Sequence, residues 1–301
     1  MADDLLADFV AAEREKGFGT YGICVQRAGE PVTEHRFRSD DRVNLYSVSK
    51  TFTSVAAGMA EAEGRLSLDD RFLDHMPELR PVAADGFEAV TLRHLLTMTS
   101  GTGHKWFAVD RIDAADLLHE IVAAPLVAEP GTRFAYTGSG PYAVGRVLAR
   151  ATGAGLHAYL TPRLFEPLGL HNPAWHTCPL GYAFAESDLY LKTGELARFA
   201  SLLLDGGRWN GEQLVPAGYV ERMPAESVDT SEVTWGRRYS DGYGLGVWLG
   251  RDGVYMAAGS YGQYIVVCPR RRVAVTVTAH SEGEREHDLL DAVFDLVIGR
   301  L

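Results

Sequence analysis

Strand-like segments sit only near the two ends of this chain, and that separation limits the folds it can adopt. Near the N-terminus, GTYGICVQR reads as a strand and EPVTEHRFR as its hairpin partner. Four more follow within residues 241–281: YGLGVWL, GVYMAA, GQYIVVC and VAVTVTA. In the last of these Val273, Val275 and Val277 alternate onto one face. From about 65 to 235 the pattern is helical pieces and loops, with prolines at 77, 81, 125, 130, 141, 162, 167, 173 and 179. Strands at both ends with helices between them predict one antiparallel sheet built jointly from the two termini.

Two terminal helices would cover that sheet. Residues 3–16 place Leu5, Leu6, Phe9 and Val10 on one stripe, and a final helix sets Leu289, Leu290, Val293, Phe294 and Val297 on one side. The expected class is α/β (α+β). Residues 1–64 and 236–301 would form a discontinuous sheet domain, and residues 65–235 a mainly helical inserted region. No internal repeat or low-complexity linker interrupts this plan.

Composition narrows the partners. The chain of 301 residues is 46% hydrophobic and 23% charged, the balance of a globular protein. Its net charge of −11 argues against a nucleic-acid or anionic-membrane partner, both of which need a basic face. Arg270-Arg271-Arg272 follows Pro269 and reads as a solvated hairpin tip. The acidic start MADDLLADFVAAEREKG has no basic segment, apolar segment or small-residue cleavage site of a secretory signal. No stretch approaches the roughly 18 uncharged apolar residues of a membrane span. Cys24, Cys178 and Cys268 are far apart and odd in number, consistent with reduced cysteines in a cytoplasmic protein.

Several short motifs fail on context. Gly17, Gly19 and Gly22 satisfy G-x-G-x-x-G, but here the order is helix, loop, strand, the reverse of a dinucleotide site. There is no G-x-S-x-G elbow and no H-E-x-x-H, and the ten histidines lack metal-ligand spacing. His94, in TLRHLL, reads as a packed helix residue. Neither a metal nor an organic cofactor is expected.

The segment LYSVSKTFTS, residues 45–54, is different. Ser47 and Lys50 are three apart at the start of a helix, so their side chains share a face. A serine there sits where free backbone N–H groups and the helix dipole favour developing negative charge. Lys50, one turn on, can take the hydroxyl proton or hold a second base in its charged form. Ser49 is adjacent to Lys50 and points elsewhere.

The chain resembles the serine β-lactamase and penicillin-binding-protein superfamily, in particular the class C β-lactamase-like hydrolases and esterases. Besides LYSVSKTFTS, the matching phrases run in family order: GRLSLDDRF, TLRHLLTMTSG, EPGTRFAYTGSGPYAVGRVLARATG, LFEPLGL, WHTCPLGY, LLLDGGRWNGEQLVP, GYGLGVW and AAGSYGQYIVVCP. The resemblance implies a nucleophilic Ser47 partnered by Lys50, with Tyr136 as the tyrosine of the second motif. Tyr136 and Lys50 would share the base role, one of them releasing its proton roughly 4 kcal/mol more readily than an isolated phenol or ammonium. The third-motif strand matches Ala257-Ala258-Gly259-Ser260. There Gly259 would let substrate lie close, and the Ser260 N–H would join that of Ser47 as an oxyanion hole. Trp106 is a further candidate for substrate contact, core or lid packing being the commoner role of such a ring. Gln263 is a candidate for the substrate-binding wall, either orienting the strand after the oxyanion hole or making a structural hydrogen bond.

Two departures restrict the activity. Tyr136-Thr137-Gly138 lacks the family's asparagine, and Ala257-Ala258-Gly259 lacks its lysine or histidine. A cation at the latter point helps hold a substrate carboxylate, a contact worth ~1.5–3 kcal/mol. Its loss points to a small ester or neutral amide rather than a penicillin. The alternatives are a β-lactamase, a D-amino-acid peptidase or transacylase, and a non-catalytic binding relative. Lys192-Thr193-Gly194, four residues from Ser187-Asp188 and ahead of an amphipathic helix, is expected to play no part, and Ser187-Asp188 likewise.

Overall fold

The computed structural model describes residues 5–108 and 111–301; residues 3 and 4 of the expected first helix lie outside them. The sheet has strands β1 (Thr20–Arg27), β2 (Thr33–Arg36), β3 (Trp248–Leu249), β4 (Tyr255–Gly259), β5 (Gln263–Cys268) and β6 (Val273–Ala279). Their order is β2-β1-β6-β5-β4-β3, antiparallel throughout. The two ends of the chain meet where β1 pairs with β6, Val25 opposite Val275 and Ile23 opposite Val277. The sheet is therefore built from both termini, as the strand pattern requires. YGLGVWL contributes only Trp248 and Leu249 as a strand; Tyr243 makes isolated bridges instead.

Five helices matter for the site: α1 (Ala7–Lys16), α2 (Ser49–Ala62), α3 (Ser139–Thr152), α4 (Thr193–Leu204) and α5 (Glu284–Ala292). Gly17, at φ +63°, ends α1 in the left-handed conformation that glycine tolerates. Phe9 of α1 and Leu289, Leu290, Val293 and Val297 of the C-terminal helix pack on Ile23, Val25, Val266, Val275 and Val277. The opposite face shows Ile265, Val267 and Ala274, which meet Leu196, Phe199 and Ala200 of α4. So the sheet is covered on both faces: by the terminal helices on one side and by a mid-chain helix on the other. Thr193, in the discarded Lys-Thr-Gly tripeptide, bonds Thr278 of β6 at 2.6 Å and fixes the start of α4 to the sheet.

Helix α2 is buried from Ser49 through Ala60. Its small hydroxyl residues would be costly there without partners. Three of them bond a carbonyl outside the helix: Thr51 donates to Gly246, Thr53 to Ala185 and Ser54 to Leu245. Phe52 stacks on Phe199 of α4 at 3.8 Å. These ties hold the start of α2 against residues 245–246, Ala185 and α4. Cys24, Cys178 and Cys268 are free and buried, and Pro269–Arg271 with Arg272 form an exposed tip between β5 and β6. Among the described residues no helix is long and apolar enough to cross a membrane.

Candidate active site

Ser47 lies in a single 3-10 turn, Tyr46–Val48, directly ahead of α2. The turn is held by a left-handed residue: Tyr46 has φ +47°, an arrangement that costs a bulky side chain on the order of 1–3 kcal/mol. The strain is offset locally. The Tyr46 N–H donates to Asn44 Oδ1 at 2.7 Å, and Asn44 Nδ2 donates to Asp188 Oδ1 at 2.7 Å. Lys50, only 2% exposed, donates from Nζ to Ser47 Oγ at 2.7 Å and to the Glu186 carbonyl at 3.0 Å. Ser49, the competing serine, is fully buried and accepts the Leu189 N–H.

Behind Lys50 sits a charged group that the sequence did not announce. Glu186 is buried, and its Oε1 accepts from Arg111 Nη1 at 2.5 Å while Oε2 has no partner among the described residues. Burial pushes its carboxyl up to about 7, against the opposing influence of Arg111 and Lys50. Arg111 also reaches Asp188 at 3.1 Å. Setting Ser187-Asp188 aside thus missed a structural part: residues 186–188 pass behind the Ser47 turn and tie down both Lys50 and Asn44. Lys192-Thr193-Gly194 stays at the head of α4.

Strand β4 supplies the facing wall. A side chain on Gly259 would run into the Leu45 carbonyl oxygen and come within 3.2 Å of the Ser47 nitrogen. Glycine is therefore required for β4 to dock on the Ser47 turn, a different reason from the substrate approach expected of it. Beyond Gly259 the chain turns through Ser260, Tyr261 (φ +64°) and Gly262 (φ +86°). Among the described residues neither the Ser47 nor the Ser260 N–H finds a hydrogen-bond acceptor. Gln263 does not line the cavity. Its amide donates to the Ser260, Tyr261 and Ala279 carbonyls, at 2.7 Å for the last, and so shapes the turn.

The Tyr136 ring lies 5.0 Å from Lys50 Nζ. It is set among aromatic rings from two other segments, with Trp248 at 5.2 Å, Trp235 at 5.4 Å and Tyr243 at 5.9 Å. Ser47, Tyr136, Gly259 and Ser260 share one cavity of about 240 Å³, whose remaining walls are Trp235, Tyr239, Trp248, Ala258, Glu286 and His287. Trp106 is elsewhere. It is buried against Gly138 and Tyr142 and borders a separate depression on the other side of Tyr136. Among the described residues no group of three or more His, Cys, Asp or Glu side chains is placed to hold a metal ion.

A family model described as Beta-lactamase matches residues 2–299. The chain belongs to the Beta-lactamase family. Members similar to it include Esterase EstB of Burkholderia gladioli, 34% identical over 169 residues, or 50% of this chain and 41% of that protein. The Beta-lactamase of Escherichia coli is 28% identical over 225 residues, covering 71% and 57%. The chain thus spans less than two thirds of the curated relatives it matches. A penicillin-binding protein homologue from Caulobacter crescentus has the same fold, with a TM-score of 0.79 at 18% identity over 98% and 97% of the two chains. Within this family's fold, the residues that sequence alone did not single out are Glu186, Arg111, Asn44, Trp235, Tyr239, Trp248, Glu286 and His287. Only Trp248, inside GYGLGVW, lay in a phrase already matched to the family.

Proposed function

We propose that this chain is a serine hydrolase that forms an acyl-enzyme on Ser47 from a small ester, and less readily from an amide. The observation that carries the reading is the 2.7 Å contact between Lys50 Nζ and Ser47 Oγ. It places the amine in range to receive the hydroxyl proton as the oxygen attacks. Tyr136, its ring 5.0 Å from the amine and on the same cavity as Ser47, forms the base jointly with Lys50. The free N–H groups of Ser47 and Ser260 would receive the carbonyl oxygen as it becomes negative, each donor being worth roughly 3–4 kcal/mol in the transition state. The leaving alcohol takes the proton back, and water, entering by the same base, resolves the acyl-enzyme. No step calls for a metal or organic cofactor.

An ester is favoured over a penicillin because no arginine or lysine stands among the residues lining the cavity. The test compares a 4-nitrophenyl ester with a chromogenic cephalosporin. Faster ester turnover, abolished in Ser47→Ala, is the expected result; preference for the cephalosporin would overturn the ranking of substrates. A non-catalytic relative is disfavoured by the intact Ser47–Lys50 contact. Failure of Ser47 to react with a fluorophosphonate would revive it.

A further inference from the structure

Building on that reading, we infer that the Ser47 cavity takes an acyl group bearing a cationic amine, with Glu286 as the residue that selects for it. The cavity is walled by the rings of Trp235, Tyr239 and Trp248 together with Tyr136, and the one carboxylate on it is Glu286. Trp248 lies 4.9 Å from Tyr239 and 5.9 Å from Trp235, so the three rings form a continuous wall. Aromatic faces attract ammonium groups, most strongly when water is excluded. A carboxylate across from such a wall completes the recognition of a positive charge.

Glu286 is available for that contact. It is half-buried in the first turn of α5 and, among the described residues, forms no ion pair with an arginine, lysine or histidine. Its Oε2 accepts the Tyr261 N–H at 3.2 Å, and Oε1 has no hydrogen bond among the described residues. That single bond also places the carboxylate on the turn carrying Ser260, next to where the carbonyl of a bound substrate would sit. Burial raises its pKa, and the neighbouring His287 and the Tyr261 N–H oppose the rise. A carboxylate left this incompletely solvated is stabilised by an arriving cation and would repel an anion.

The surroundings agree in sign. The groove beyond Tyr136 and Trp235 carries Asp229 and Glu232 against the single Arg133. Arg237 and Arg238, which precede the cavity-lining Tyr239 in the chain, are engaged by Asp291 and Asp295. Positive charge would thus be drawn toward the cavity and negative charge turned away.

Two readouts test this. In the first, the 4-nitrophenyl esters of 4-(trimethylammonio)butyrate and its carbon isostere 5,5-dimethylhexanoate are compared on the wild type and on Glu286→Gln, which keeps an acceptor for the Tyr261 N–H. The expected result is that Glu286→Gln lowers the preference for the cationic over the neutral ester, read as the ratio of their kcat/KM values, about tenfold. Equal losses on both esters would mean that Glu286 only braces the turn, and unchanged selectivity would also overturn the inference. In the second, phenyltrimethylammonium is titrated into both proteins by calorimetry at low and high salt. Binding by the wild type, weakened by Glu286→Gln and by salt, supports the subsite even if neither ester is hydrolysed; in that case the hydrolase reading fails and the cation site stands. Hydrolysis of the neutral ester with no binding of the ammonium means the reverse.

Discussion

Tyr46 and Tyr261 are both left-handed, one just before Ser47 and the other just after Ser260, and their rings pack 5.1 Å apart. Ser47 and Ser260, the two residues proposed to supply the oxyanion amides, are thus clamped to each other by their neighbours. Tyr261 also stacks on His280 at 4.7 Å, which anchors the pair to the end of β6.

Glycine in place of Tyr261 would accept the positive φ freely but lose the clamp. Tyr261→Gly is expected to keep thermal stability close to wild type while kcat for ester hydrolysis falls about tenfold, with KM changed by less than about threefold. Steady-state kinetics on a neutral ester, beside a thermal melt, check this.

Gly259→Ala addresses the docking of β4 on the Ser47 turn. The added methyl meets the Leu45 backbone oxygen, which has no flexible side chain to swing away. A loss of about 2–4 kcal/mol is expected from the forced separation, together with near-complete loss of ester turnover. Denaturant unfolding and an activity assay on the refolded protein measure both.

The buried Glu186 predicts a pH dependence of stability. Its carboxyl titrates at about 7 when folded, against the usual 4.5. Between these values the folded chain holds a proton that the unfolded chain has released, so stability falls as pH rises through this window. The contribution is on the order of 3 kcal/mol. Glu186→Gln should flatten the change in urea midpoint between pH 5 and pH 8; an unaltered slope would remove Glu186 as its source.

Asn44 links the Tyr46 N–H to Asp188. Asn44→Ala leaves that amide without its acceptor and should cost about 1–3 kcal/mol. Asn44→Asp keeps the acceptor but sets two carboxylates together, and is expected to recover stability as pH falls and the pair takes up a shared proton. Melting temperatures of the two variants across pH 3–8 distinguish the effects.

How much of this was legible beforehand follows from how local each signal is. Ser47 and Lys50 could be paired because a helix turn fixes the geometry of residues three apart. The sheet could be built from the termini because Val273, Val275 and Val277 alternate in plain view. Gln263 and Trp106 lay in the right phrases, yet a sequence does not say which side of a turn a side chain takes: Gln263 turned inward to three carbonyls, and Trp106 into the packing against Gly138 and Tyr142. Glu286 lies in EREHD, which reads as an ordinary exposed helix start, and Trp235 in a polar loop. They reach the cavity only because segments far apart in the chain converge there. Ser187-Asp188 fails a motif test that asks only whether it can line a cleft, and Glu186 beside it carries no motif at all, whereas Glu186 and Asp188 brace the Ser47 turn from behind.

The most direct test of the central claim is peptide mapping by mass spectrometry after rapid quenching with a slowly hydrolysed ester. The acyl mass should appear on the peptide containing Ser47 in the wild type, be much reduced in Lys50→Met, and be absent in Ser47→Ala. A stable acyl group on any other residue, or undiminished ester turnover by Ser47→Ala, would contradict it.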